Sequence, residues 1–282
     1  MFTLKIDNHK GQIVELTHDT GRYAVIGIDG LTRPPTTINT AIAASIDGSF
    51  YNSSRMEQRN LVISIILRGK IEENRQALYQ IFPCKTLCTI YFENKNRNVK
   101  IDGYVETLEG DLFVMQERMQ ISIICPRPYF EDLNAIYTEI STTIKRFSFP
   151  FSISQPIPFG DVLETPHAFL TNYGDTDTGF TLTGEITKDI STLTIKNLTT
   201  GSELTLNYAF AAGDIITLCT IQGRLRAEIE RTGATINILN SVEWGSVWVK
   251  LQPGFNDLTF TCGDAEADFV LYVNAVWLYG GV

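Results

Sequence analysis

From residue 172 to residue 282 the chain alternates apolar and polar positions in short runs, each bounded by a turn signal. Asn172-Tyr-Gly-Asp175 and Thr178-Gly179 lead into Phe180-Thr-Leu-Thr-Gly184. Asn197-Leu-Thr-Thr-Gly201 leads into Glu203-Leu-Thr-Leu-Asn207, and Leu251-Gln-Pro-Gly-Phe-Asn256 into Asp257-Leu-Thr-Phe260. Successive side chains of a strand face opposite sides of its sheet, so period-two alternation marks a sheet with one buried face. Several such strands at this spacing predict an antiparallel β-sandwich.

The first 132 residues read differently. Runs at 2–6, 12–16 and 23–28 predict strands, and the β-branched stretch within 59–68 predicts a strand buried on both sides. Between them, Pro34 and Pro35 lack backbone donors and hold the chain extended, so 30–39 reads as a loop or an edge. Asp47-Gly48 signals a turn and 51–57 is polar. One helix is expected over 71–82: Ile71, Leu78 and Phe82 share a face, Glu72 and Glu73 suit the positive N-terminal end, and Pro83 stops it. Strands over 86–92, 97–108 and 112–124 follow as a meander.

Residues 133–165, with Pro150, Pro156 and Pro158 among phenylalanines and serines, read as a connection. The predicted organisation is therefore a first domain over 1–132, a connecting arm over 133–165 and a β-sandwich over 166–282. The formal charge of −9 is uneven: 1–132 carry 15 Lys+Arg against 16 Asp+Glu, and 133–282 carry 8 against 16. An acidic half without a basic cluster argues against nucleic-acid binding by phosphate neutralisation. No apolar run reaches the roughly 18 residues of a spanning helix, and the first ten residues lack the layout of a secretory signal. Synthesis in a cytoplasm and no membrane partner are the expectations.

Candidate chemistry is sparse. His9, His18 and His167 are scattered, and no nucleophile elbow, phosphate loop or dinucleotide glycine pattern occurs. Cys84, Cys88 and Cys125 suggest three zinc ligands, with Cys84 and Cys88 expected on one face of an extended stretch. No second close-spaced Cys/His pair closes a tetrahedral site, so buried reduced thiols are the better reading, with no metal and no cofactor. Trp248 and Trp277 sit in alternating runs and are expected in the core. Trp244, beside Gly245 in a turn, is the residue for a sugar contact if there is one.

One ordered set of motifs points further. Gly30-Leu-Thr-Arg-Pro-Pro-Thr36, Asp47-Gly-Ser-Phe50, Arg55-Met-Glu-Gln-Arg-Asn-Leu61, Gly69-Lys-Ile-Glu-Glu-Asn-Arg75, Tyr104-Val-Glu106 and Ile123-Ile-Cys-Pro-Arg-Pro-Tyr-Phe130 resemble the start of the distal tail proteins of long-tailed bacteriophages. The turns quoted above, with Gly213-Asp214, are similar to that family's second domain. The resemblance implies a mainly β protein: an N-terminal split β-barrel with one helix and a C-terminal galectin-like antiparallel β-sandwich. It also implies a non-enzymatic hub at the virion tail tip. Copies would form a hexameric ring joining the major tail-tube protein to the tail-associated fibre or lysin protein, with DNA passing through unbound. A closed ring needs loops that complete a neighbour, and 30–39 and 49–60 are the candidates. Pro34, Pro35, Arg55, Glu57 and Arg59 are the expected interface residues, the two arginines flanking Glu57 in a charged cluster. The other expectation is a carbohydrate-binding module that adsorbs to cell-surface polysaccharide through the sandwich.

Overall fold

The computed structural model describes residues 2–17, 21–45, 47–111, 117–141, 143–145, 160–162, 167–263 and 269–282. The chain is mainly β with one α-helix, and it divides into two units: Met1–Leu133 with Leu278–Val282, and Asn134–Trp277. No helix of the described residues is long and apolar enough to cross a membrane.

The first unit contains β1 (Thr3–Asp7), β2 (Ile13–Leu16), β3 (Tyr23–Asp29), β4 (Thr36–Ala41), β5 (Phe50–Met56), β6 (Arg59–Leu67), α1 (Ile71–Ile81), β7 (Leu87–Glu93), β8 (Asn98–Gly110), β9 (Arg118–Cys125) and β10 (Phe130–Asp132). All but β4 and β5 join one antiparallel sheet in the order β2-β1-β7-β8-β9-β6-β3, with β10 added beside β8. Its two margins meet at a single parallel bridge among the described residues, Thr17 to Ala24. A sheet whose ends touch at one bridge is a barrel left open along one seam.

Alternation explains the core. Leu61, Ile63, Ile65 and Leu67 of β6 are buried and the residues between them half-buried. The strand expected to be buried on both sides thus has one fully covered face, because only one face of the curled sheet is inside. Leu4 and Ile6, Ile90, Val99 and Ile101, Ile121 and Ile123 continue that face. The helix covers it with Leu78 and Phe82, and Asn74 donates to the Arg68 carbonyl at 2.7 Å. Pro83 follows the Phe82 cap, where the Phe82 amide bonds the Leu78 carbonyl, as the sequence leads one to expect. The predicted strand start at 112 falls on 112–116, outside the described residues.

The second unit comprises β11 (Ile136–Ser141), β12 (Thr143–Lys145), β13 (Gly160–Val162), β14 (His167–Asn172), β15 (Phe180–Ile186), β16 (Ile190–Asn197), β17 (Ser202–Phe210), β18 (Ile215–Cys219), β19 (Arg226–Arg231), β20 (Ala234–Asn237), β21 (Gly254–Cys262) and β22 (Phe269–Ala275). They form a six-stranded sheet, β11-β22-β15-β18-β19-β20, a four-stranded sheet, β14-β21-β16-β17, and the short ladder β12-β13. Leu182, Ile216, Leu218, Ile229, Leu271 and Val273 line the inner face of the first. Leu170, Leu193, Ile195, Leu206, Leu258 and Phe260 line that of the second, all at most 4% exposed. The alternation seen in the sequence is this sandwich. Its clearest buried charge is Asp214, at the Gly213-Asp214 turn. Its carboxylate accepts Arg231 Nε at 2.7 Å, Arg231 Nη2 at 2.6 Å and the Ala211 amide at 2.8 Å.

Two stretches differ from the sequence reading. Residues 136–141, placed in the arm, are a strand of the six-stranded sheet, while 142, 146–159 and 163–165 of that arm lie outside the described residues. A last strand, β23 (Leu278–Tyr279), pairs with β10 and belongs to the first unit. The residues after Trp277 belong to the first unit, and their hydrogen-bonding partners include β10, the loop after β3, Arg59 and Arg97.

Candidate functional site

The strands β4 and β5 pair with each other alone and join neither large sheet. Thr, Ile, Phe and Tyr in 36–41 and 50–56 favour extended backbone, and Asp47-Gly48 supplies the turn, with Gly48 at φ +91°. What these strands lack is a buried face. Ile38 is 61% exposed, Ile42 84%, Phe50 53% and Tyr51 64%. Register runs from Thr36 opposite Met56 to Ala41 opposite Phe50, with a bulge at Asn39/Thr40. Local polar contacts stiffen the ribbon: Asn39 Nδ2 donates to Ser53 Oγ at 3.0 Å, and the Tyr51 and Ser54 hydroxyls lie 2.8 Å apart.

The sequence-predicted interface residues gather at the root of this hairpin but play separate parts. The Pro35 carbonyl accepts the Glu57 amide at 3.0 Å, and the Thr37 hydroxyl donates to the Glu57 carboxylate. Arg55 Nε lies 3.6 Å from Glu57 Oε1 on the exposed surface, a pair worth at most about 1 kcal/mol. Pro34 is half-buried and Pro35 exposed. Arg59 does not join the Arg55–Glu57 pair. It is 1% exposed, and its guanidinium points inward. Nε donates to the Pro128 carbonyl at 2.8 Å, Nη1 to the Thr32 carbonyl at 2.6 Å and to the Gly30 carbonyl, and Nη2 to the Gly280 carbonyl at 2.6 Å. Its carbon lies 4.4 Å from the centroid of the Phe130 ring. Burial lowers its pKa, yet a guanidinium stays protonated in proteins. The fork geometry of arginine is what lets one side chain collect four carbonyls.

Sequence reasoning missed the hairpin itself and the partners of Arg59. The alternating Thr-Thr-Ile-Asn-Thr run opposite Phe-Tyr-Asn-Ser-Ser-Arg, across a Gly turn, was the available signal for the first. Nothing local signals the second, since Gly280 is 221 residues away.

The cysteines are dispersed. Cys84 is exposed, in a turn and not on the strand expected for it, while Cys88 and Cys125 are buried. Burial first, then the neighbouring Cys125 thiol and Asp102, pushes Cys88 up to about 12. Burial also raises Cys125 to about 12 against the lowering effect of Arg59. Trp244 is 99% exposed, beside Gly245 at φ +90°. Its strap follows the β17 margin, with the Glu243 amide on the Thr205 carbonyl and the Val247 amide on the Glu203 carbonyl. Trp248 is half-buried outside any strand, and Trp277 is 3% exposed. A cavity of about 470 Å³ opens elsewhere on the sandwich, between Thr181, Cys219, Arg224, Arg226, Glu228 and Asn237.

Comparison with known proteins agrees with the motif resemblance. Residues 173–277 match the family model described as the siphovirus-type tail component, C-terminal domain. Over its whole length the chain has the fold of SPP1 Dit (gp 19.1), whose crystal structure is described as a paradigm of the hub adsorption apparatus of phages infecting Gram-positive bacteria. Identity is 14% and the TM-score 0.66, over 98% of this chain and 99% of that one. A chain of the phage P2 baseplate in its activated conformation with Ca is 11% identical at a TM-score of 0.47, over 96% of this chain and 98% of that one. No curated protein sequence matches the chain.

Proposed function

We propose that this protein is a structural hub of a phage tail tip, whose copies close into a six-fold ring through the β4–β5 hairpin. In this reading it has no enzymatic activity. The ring joins the major tail-tube protein to a tail-associated fibre or lysin protein and leaves a channel for DNA. The tail-component domain over 173–277 and the SPP1 Dit fold support a tail-hub role.

The observation that carries the ring is the hairpin. A two-stranded ribbon is marginal in water without a covered face, and this one exposes Ile38, Ile42, Phe50 and Tyr51. Covering such side chains contributes about 1.5–3 kcal/mol each when complete. Four of them supply roughly the several kcal/mol that association costs. A second copy of the chain supplies the cover, and repetition of that heterologous contact closes the ring. The first 132 residues carry a net charge of −1, which suits a conduit that DNA traverses without ionic capture.

Light scattering on the purified chain, followed by negative-stain imaging of the same fraction, tests this. A mass of about 190 kDa, six copies of 31.6 kDa, and ring-shaped particles are expected. The double change Ile42→Asp with Phe50→Asp reduces the mass to one copy and leaves the fold intact. A wild-type chain that stays monomeric, and that purified tail-tube protein does not gather into a ring, overturns the proposal.

Trp244 supports a second reading, adsorption to host polysaccharide, because an indole exposed to this extent is available to stack on a sugar ring. A glycan-array signal abolished by Trp244→Ala is its test.

A further inference from the structure

We infer that Leu278–Val282 is a clasp that fixes the root of the hairpin, so that the first unit becomes competent to assemble only once residues 278–282, which follow the sandwich, have been made. The assembly half of this statement rests on the ring proposed above; the clasp itself does not.

The loop between β3 and β4 is the element to be held. Residues 31–35 have no regular secondary structure, and Pro34 and Pro35 have no amide hydrogens to donate. Three consecutive carbonyls of the loop are held from outside it: Gly30 and Thr32 by Arg59, and Leu31 by the Val282 amide at 3.2 Å. Both anchors involve the returning segment, because Arg59 Nη2 donates to Gly280 at 2.6 Å.

The segment is itself seated along its length. Phe130 pairs with Tyr279 and Glu131 with Leu278. The Tyr279 hydroxyl donates to Asp132 Oδ2 at 2.9 Å, and the Arg97 guanidinium lies 4.4 Å from the Tyr279 ring and donates to the Gly281 carbonyl. Contact with the loop is close. A Cβ added at Gly281 would stand 3.1 Å from the Leu31 carbonyl oxygen, and one at Gly280 3.0 Å from Arg33 Nε. At Gly281 the tight neighbour is backbone, whereas at Gly280 it is the flexible Arg33 side chain, so position 281 is the more sensitive to an added side chain.

Arg59 opens β6, two residues after Glu57 at the foot of β5, and the loop opens β4. The clasp therefore grips both legs of the hairpin through one side chain. A chain synthesised only as far as the sandwich has Arg59 but not Gly280, and the loop but not Val282. Its hairpin root keeps the Arg59 bonds to Gly30, Thr32 and Pro128 but lacks the Gly280 and Val282 anchors. In a ring, where each copy must meet two neighbours, this excludes incomplete chains that would stop closure.

The test compares the full chain with a chain ending at Trp277 and with full-length Gly281→Val, by amide hydrogen exchange and by mass in solution. The Glu57 amide, bonded to the Pro35 carbonyl, and the amides of 36–41 report the root. Those of 61–67 and 118–125 report the sheet. In both variants, root exchange faster by about tenfold with unchanged sheet protection, together with loss of the oligomer, is expected. Unchanged root exchange overturns the clasp. So does loss of protection across the whole sheet in both variants, since the segment is then an ordinary core strand. If the unaltered chain is monomeric and remains so with its partners, the ring fails and the exchange comparison alone decides the clasp.

Discussion

Replacing Arg59 by Met removes a guanidinium that is 1% exposed and serves four carbonyls. A hydrogen bond to a charged group contributes about 1.5–3 kcal/mol net. Four at full value would amount to about 6–12 kcal/mol, as much as the whole stability of most domains, about 5–15 kcal/mol. Two effects reduce the sum. The Gly30, Thr32 and Pro128 bonds are only partly buried, so water replaces some of what is lost, whereas the Gly280 bond is buried. Methionine also avoids the cost of keeping a charge out of water, the same desolvation that lowers the pKa of Arg59. A net loss of about 3–5 kcal/mol, the worth of roughly two such bonds, is the expected result. At about 2–4 °C per kcal/mol, that lowers the melting midpoint of the first unit by roughly 10 °C. The molecule offers its own control. Trp244, Trp248 and Trp277 all lie in the second unit, so a melt followed by tryptophan fluorescence reports the sandwich, while calorimetry reports both. Arg59→Met moves the calorimetric transition of the first unit and leaves the fluorescence midpoint in place. Arg59→Lys keeps the charge but offers one nitrogen that cannot span Pro128 and Gly280 together, so it recovers less than half the loss. A lysine variant as stable as the wild type, or a methionine variant within about 1 kcal/mol of it, refutes the reasoning.

Two further outcomes follow from buried titratable groups. The Arg231 guanidinium bonded to Asp214 holds its carboxyl below the usual carboxylate range. A depressed folded-state pKa contributes stability above the unfolded value of about 4, and that stability is lost as pH falls through the folded pKa. The gap in urea midpoint between wild type and Asp214→Asn should therefore shrink as pH drops from about 7 to below about 4, and a constant gap contradicts the assignment. Cys88 and Cys125, buried and pushed up to about 12, carry almost no thiolate at pH of about 8. Peptide mapping after brief iodoacetamide treatment should find Cys84 modified and these two untouched until denaturant is added; early labelling of either is inconsistent with the packing.

The sandwich was legible because its rule is local. Each run such as Phe180-Thr-Leu-Thr carries its own period and its own bounding turn, and α1 was legible because Pro83 ends it. Residues 246–250 show where the rule stops. They alternate like a strand, yet form a strap whose Val247 amide bonds the β17 margin at Glu203. Period two shows that alternate positions are covered, and a strap along a sheet margin satisfies it as well as a ladder does. Arg59 failed for the opposite reason. An arginine in Arg55-Met-Glu-Gln-Arg looks solvated by composition, and charged residues are almost never fully buried unless partnered. Its partners are carbonyls, which carry no side-chain signature in any sequence. The hairpin was hidden by its exposure: a ribbon with no covered face has no strong hydrophobic period, and only the strand-favouring residues on either side of Asp47-Gly48 mark it.

The Glu131–Leu278 pair also bears on how such a chain can change over generations. Paired residues on adjacent antiparallel strands stand about 5 Å apart. The polypeptide thus departs from the first unit and re-enters it at neighbouring points, with 144 residues, Asn134–Trp277, looped out between them. Domains whose own ends lie close together are the ones that tolerate transplantation. The β10–β23 pair gives Asn134–Trp277 ends of that kind, so exchange of one module for another is met there with the least demand on the open barrel.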